Sequence, residues 1–211
     1  MSAHYFTPAD MAQPRKRLPA RARKLQIVRS AVSVFARSNY RAAKVADIAA
    51  EAEISEAAIY KYFPSKKSVF LEALRHMSDR VIILWQQEVE NEEDAVKAIE
   101  RMAITYYRRM MKHPQELKVQ FQAISEVDDR DIARQLRQDH RNYRRFIEEV
   151  IKKGIRQGSV RKDLDVPTTG FLLDGVGILM NMMKLLSFHR ELTEKSLRKM
   201  MDMLIHSIRR I

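Results

Sequence analysis

Residues 45–52 and 56–62 each carry helical apolar spacing for only seven or eight positions, and they lie back to back between two much longer helical patterns. Helices this short do not persist in water, because nucleation costs more than so few backbone hydrogen bonds return. The pair can fold only if long neighbours clamp it from both sides, and those neighbours are legible. Leu25, Val28, Ala31/Val32 and Phe35 mark one face from Arg21 to Ser38-Asn39, where asparagine suits a left-handed helix end. Val69, Phe70, Leu74, Met77, Val81 and Leu84/Trp85 mark another over 66–88. Ser55 and Ser65 stand where N-caps are needed. The front of the chain is long, short, short, long.

Within the short pair, Ile48, Ala49, Ala52, Ile54, Ile59 and Phe63 are the inward set, and small Ala49 lets two helices cross closely, as a helix-turn-helix requires. The second helix directs Ser55, Ala57, Ala58, Lys61 and Tyr62 outward, where short or polar side chains can approach a major groove. Charge placement agrees. Residues 1–80 hold 15 Lys/Arg against 7 Asp/Glu, whereas 81–211 hold 24 against 20, so the excess behind the net +12 is front-loaded, the footprint of a polyanion-binding module. Residues 1–19 are polar, contain Arg15-Lys16-Arg17, and are expected to form a disordered basic arm.

Five glycines and six prolines in 211 residues leave little turn chemistry for sheets, so the fold class is all-α. Further helical patterns cover 92–112, 114–125 with Pro114 in the first turn, 129–157, 167–188, and 193–210 with Thr193 as cap; 158–166 is a loop. The absence of cysteine excludes disulfides, thiolate catalysis and Cys-based metal sites. The histidines, at 4, 76, 113, 140, 189 and 206, include no pair at helical ligand spacing, and Asp128, Asp129 and Asp131 read as helix-start caps; neither a metal nor a cofactor is expected. No phosphate loop, nucleophile elbow or triad is present, so the chain is not expected to be an enzyme. The start lacks a signal-peptide core, and Phe171–Leu186, interrupted by Asp174, Asn181 and Lys184, reads as too short to cross a bilayer. A cytoplasmic location without membrane contact is the expectation.

The run from Ile27 through Ala31, Phe35, Val45, Ile48-Ala49, Ala52, Ile54-Ser55, Ile59-Tyr60, Tyr62-Phe63, Ser65-Lys66 and Phe70 to Leu74 resembles the TetR family of regulators, most specifically in Tyr60, Phe63 and Lys66. The resemblance covers about residues 21–75. It implies a helix-turn-helix module over 20–80 on double-stranded operator DNA, followed over 81–211 by a helical ligand-binding and dimerisation domain. It further implies that Tyr60 and Lys66 contact phosphates while Ser55, Ala57, Ala58 and Tyr62 line the groove, with Lys61 beside them. Lys44 replaces the usual threonine and reaches phosphate as a point charge, with Asp47 facing the helix start. Glu53 stands where the family has a turn glycine, Glu56-Ala57 where glycine follows Ser55, and Asn39 where glycine ends the first helix.

Ten of the 12 methionines follow residue 76. Met at helical spacing fills cores, yet it also lines adaptable pockets, and the resemblance favours a pocket. The expected lining is Trp85, Met102, Tyr106, Phe121, Tyr143, Ile147, Phe171, Ile178 and Met182, with the arginines of Arg134–Arg145 as a solvated face or an anionic-ligand mouth. The effector is then a small hydrophobic or amphipathic molecule, an acyl-CoA being one candidate. The apolar faces of 167–188 and 193–210, with Gly170, Gly175 and Gly177 allowing close approach, imply a homodimer through a four-helix bundle. The function expected is a ligand-responsive repressor; a ligand-independent DNA-binding regulator and a helical-bundle carrier or enzyme are the alternatives.

Overall fold

The computed structural model describes residues 18–188 and 190–209, so most of the expected basic arm, together with His4 and His189, lies outside the described residues. The helices are α1 (Ala20–Ala42), α2 (Val45–Glu51), α3 (Glu56–Tyr60), α4 (Lys66–Glu90), α5 (Ala95–Lys112), α6 (Pro114–Ile124), α7 (Arg130–Gln157), α8 (Val166–Leu185) and α9 (Glu194–Ile208). Among the described residues there is no strand, only an isolated antiparallel bridge between Val160 and Arg209 that ties the α7–α8 loop to the end of α9. The fold is all-α, with an N-terminal helix-turn-helix and a C-terminal helical domain.

Two apolar cores explain the layout. The first gathers Ile27, Ala31 and Phe35 of α1, Ile48 and Ala49 of α2, Ile59 of α3, and Val69, Phe70 and Leu74 of α4. Its centre is aromatic: Phe35 meets Phe70 edge-on at 5.0 Å, and Tyr40 lies 4.4 Å from Phe70. The second core starts at Val81 and Trp85 and is completed by α5, α7, α8 and α9. Helix α4 runs without a break through both, leaving one core at Met77 and entering the other at Val81. Because an α-helix transmits displacement along its axis, the two cores share one rigid strut.

Local chemistry sets the ends of the helices. Asn39 takes φ 63° and ψ 169°, and its Oδ1 accepts from Ala42 N at 3.0 Å, so α1 kinks there and continues to Ala42 rather than closing at Asn39. Asp94 accepts from Val96 N at 2.8 Å and starts α5 at Ala95 rather than at 92. Asp165 accepts from Thr168 N at 2.7 Å and starts α8 at Val166.

At twenty residues and a mean hydropathy of 1.2, α8 is long and apolar enough to cross a membrane by length and composition, which corrects the shorter span read from 171–186. Only 22% of that window is buried, and Phe171, Leu172, Leu179 and Leu186 are exposed. A Cβ at Gly170 would stand 2.9 Å from Glu148 Cγ, so α8 packs closely on α7 at this point. Helix α9 buries Leu197, Met201 and Ile208 in the second core and leaves Met203 exposed.

Candidate nucleic-acid interface and effector cavity

The turn between α2 and α3 is held by Ile54 N donating to Ala49 O at 3.0 Å and Ala58 N donating to Ser55 Oγ at 3.2 Å. Glu53 sits in the turn at φ 52°, a left-handed conformation that costs a non-glycine residue about 1 kcal/mol. Helix α3 ends at Tyr60, two residues earlier than the expected 62, and Tyr62 follows in the turn. Ser55, Ala57, Tyr60 and Lys61 are exposed on this surface, Ala58 and Tyr62 are half-buried, and Ile59 and Phe63 anchor it from beneath. Exposed Glu56 adds a negative charge to the same face, a feature the motif alone does not display. Lys44 is exposed at the start of α2, where its backbone N donates to Asp47 Oδ2 at 3.0 Å.

Lys66 differs from its expected setting. Its Nζ donates to the carbonyls of Arg41 at 3.0 Å and Ala43 at 2.9 Å, and it lies 5.0 Å from the centroid of the Tyr40 ring. The ammonium therefore caps the end of α1 and fixes the α1–α2 junction, leaving one N–H for any phosphate.

In the second core a cavity of about 310 Å³ opens between α4, α5, α6, α7 and α8. Of the expected lining, Trp85, Tyr106, Phe121, Tyr143 and Ile178 face it. A smaller cavity of about 50 Å³ adjoins it, sharing Trp85, Tyr106 and Gly177 and reaching Met102 and Ile147. Phe171 stands outside, in a shallow cleft with Arg137, Arg141 and Arg144, and the Arg144 guanidinium lies 5.6 Å from its ring centroid. Met182 lines none of these spaces and is 39% exposed, on the outer side of α8.

The cavity also has polar walls that sequence reasoning missed. Asp139 is buried on the inner face of α7, accepting from Gln135 Nε2 at 2.9 Å and from the Ser78 hydroxyl. Burial pushes its carboxyl up to about 6. His140 Nδ1 lies 2.9 Å from Asp174 Oδ2 of α8, and that contact raises the imidazole above its ordinary value. Asn181 and the Tyr106 hydroxyl hydrogen-bond each other, and burial pushes the phenol up to about 12. Trp85 is 8% exposed, meets Tyr143 edge-on at 5.6 Å, and its Nε1–H has no partner. The signals were present in the chain: Asp139 and Tyr143 share a helix face, and Asp174 interrupts the most apolar helix.

Helix α6, on which Phe121 was expected to line the pocket, also serves the first core. Val119 and Ala123 enter the first core, while Gln120, Phe121 and Ile124 line the cavity. The Arg41–Glu126 pair at 2.8 Å and the Lys67 contacts to Asp129 and Asp131, at 3.1 and 2.8 Å, fasten this region to the front module. Asp129 also caps α7, accepting from Asp131 N at 2.9 Å, and Asp131 lies in the first turn. Among the described residues no group of three His, Asp or Glu could hold a metal ion.

Comparison with known proteins gives two family matches: residues 27–73 to bacterial regulatory proteins, tetR family, and residues 92–181 to the tetracyclin repressor-like C-terminal domain. A helix-turn-helix transcriptional regulator of Bacillus subtilis, YuxN, is 31% identical over 141 residues, which is 66% of this chain; the chain spans 42% of that relative's length. A transcriptional regulator from Saccharomonospora viridis in complex with choline is 26% identical, covers 92% of this chain and 100% of its own, and superposes with a TM-score of 0.74. FadR from Bacillus subtilis in complex with stearoyl-CoA is 16% identical, covers 86% and 95%, and has a TM-score of 0.73.

Proposed function

Because the chain belongs to the TetR family of bacterial regulatory proteins, we propose that it represses transcription as a homodimer on a near-palindromic operator and releases it when a compact effector enters the C-terminal cavity. Residues 20–80 are the DNA-binding module and 81–211 the sensing and dimerising module. Ser55, Ala57, Ala58 and Tyr62 face the groove, Lys61 flanks them, and Tyr60 and Lys44 take phosphates. Lys66 adds one phosphate contact while holding the α1–α2 junction. Dimerisation uses 167–188 and 193–210, with the exposed apolar side of α8 as the main surface.

The single observation that carries the reading is the double use of α6: one face belongs to the helix-turn-helix core and the other to the cavity wall. Ligand bulk against Phe121 on α6 or Trp85 on α4 displaces elements shared with the DNA-reading module. A coupling of about 1–3 kcal/mol suffices to release operator roughly 5- to 150-fold. The cavity, near the lower end of the roughly 300–1,000 Å³ usual for small-molecule sites, fits a small hydrophobic or amphipathic effector. An acyl-CoA is the second reading, favoured by Arg137, Arg141 and Arg144, which would hold its phosphates outside while a short chain occupies the cavity.

Selection of binding sites from randomised duplexes tests the function. The enriched sequence should be two inverted half-sites about 34–36 Å apart, or a multiple of that, bound by a species sedimenting as a dimer or a pair of dimers. Tyr60→Phe should weaken all sequences alike, and Lys66→Ala should flatten the salt slope by about one unit and also lower the melting temperature. Enrichment of no sequence, or a monomer at micromolar concentration, would refute the proposal.

A further inference from the structure

Solved relatives of this fold accept ligands of opposite charge, so the fold does not decide what enters the cavity; its walls do. The charged residues facing it are Asp139, Asp174 and His140, with no lysine or arginine among them. Resting on the sensing reading above, we infer that the cavity takes a cationic amphiphile, an amine or quaternary ammonium with a short apolar chain.

Charge count and aromatic geometry support this independently. If His140 is protonated, it balances Asp174 at 2.9 Å and Asp139 remains; if neutral, both carboxylates remain. The hydrogen bonds to Asp139 come from neutral groups, Gln135 and Ser78. The charges acting on Asp139 are those of His140, which Asp174 engages, and of Asp79, which raises it further; Arg75, which feels Asp139 weakly, is bonded to Glu72 and Asp79. A buried carboxylate held by neutral donors is stabilised by a cation brought to it. Trp85 and Tyr143 supply ring faces and edges within the same shell, and a cation over an indole face gains further attraction. The indole Nε1–H, buried without a partner, would donate to an oxygen carried by the same ligand. An anionic head would meet Asp139 inside, while the arginines line only the adjoining cleft, which shares His140, Asp174 and Ile178 with the cavity.

Trp85 is the one tryptophan of the chain, so intrinsic fluorescence of the full-length protein reports occupancy directly. Titration with hexyltrimethylammonium, heptanoate and 1-heptanol compares one chain length with three head charges. The cation should saturate the signal at a concentration about tenfold or more below heptanoate, and Asp139→Asn should weaken it at least about fivefold while leaving heptanol unchanged. Asp174→Asn, a second variant on a different helix, should weaken the cation in the same direction; thermal melts confirm that both fold. Heptanoate binding as tightly as the cation, or folded Asp139→Asn and Asp174→Asn proteins with unaltered cation affinity, would overturn the inference. Operator binding measured in parallel separates the two claims. Saturable cation binding without operator release leaves the site assignment standing and removes the sensing role. Operator release by heptanoate or heptanol, with the cation inert, does the reverse.

Discussion

The chain contains two aromatic clusters of similar make-up with opposite uses. Phe35, Tyr40 and Phe70 close the front core, their centroids 4.4–6.0 Å apart. Trp85, Tyr106, Tyr143 and Phe146 are nearly as close, Trp85 lying 5.6–6.1 Å from the other three, yet Trp85, Tyr106 and Tyr143 border a cavity. The difference lies in what stands opposite. Small Ala31, Ala49 and Ala73 let α1, α2 and α4 approach until the rings fill the space. In the second core, buried Asp139 and Asn181 and the side-chain-free Gly177 stand opposite the rings, and they neither fill volume nor pack apolar surface. Aromatic residues do not by themselves distinguish a sealed core from a binding site; the volume and polarity of their partners do.

The sharpest break between the two clusters should appear on truncation. Phe70→Ala removes a fully buried ring from the closed cluster and should cost about 3–5 kcal/mol in urea unfolding. Phe121→Ala enlarges a space that already exists, so it should cost only about 1–2 kcal/mol. Equal losses would mean that the cavity wall is packed as tightly as the front core.

A smaller effect separates them by polarity. Among the described residues, Asp139 is the buried carboxylate, and it belongs to the cavity side. It takes its proton at about 6 when folded, against about 3.9 for an unperturbed aspartate. Between those values the folded chain binds more protons than the unfolded one, so the group lowers stability as pH rises from about 4 to about 6. Asp139→Asn should therefore match wild type near pH 4 and exceed it by about 1–3 kcal/mol above pH 6. A variant less stable than wild type at pH 7 would show that the carboxylate is held by its partners rather than strained by burial.

The smallest effect concerns left-handed turns. At the end of α7 that conformation falls to Gly158, at φ 79°, whereas in the helix-turn-helix it falls to Glu53. Glu53→Gly should gain no more than about 0.5 kcal/mol, since glycine's greater entropy loss on folding and the loss of the side chain's own interaction offset most of the strain relieved, with thermal melting as the check.

The front module was legible because its rules are local. Two helices too short to stand alone, Ser55 and Ser65 as caps, and small residues at the crossing leave one arrangement. The helix order and most boundaries of the C-terminal module were legible for the same reason, since Pro114, Pro167 and Thr193 punctuate it. What could not be read was which face of a helix meets which neighbour. Met182 and Phe171 share the apolar stripe of α8 yet stand outside the cavity, because an apolar-all-round helix carries no periodicity to orient it. Asp139 carries no distinguishing signal in the sequence beyond the face it shares with Tyr143, because it stands among the arginines of Arg134–Arg145 on α7. Lys66 looked like a free cation, and only the fold brings the Arg41 and Ala43 carbonyls to its amine.

Filling the cavity without any ligand tests the link between it and DNA most directly. Gly177 lines both cavities, and a Cβ there would meet Tyr106 at 3.8 Å, an ordinary contact, so a larger side chain can grow into the space. The operator affinity of Gly177→Phe, measured by anisotropy on the selected duplex beside a melting curve, should fall about 5- to 150-fold while the protein stays folded and dimeric. A folded dimer that binds operator as tightly as wild type would contradict the coupling of cavity to operator.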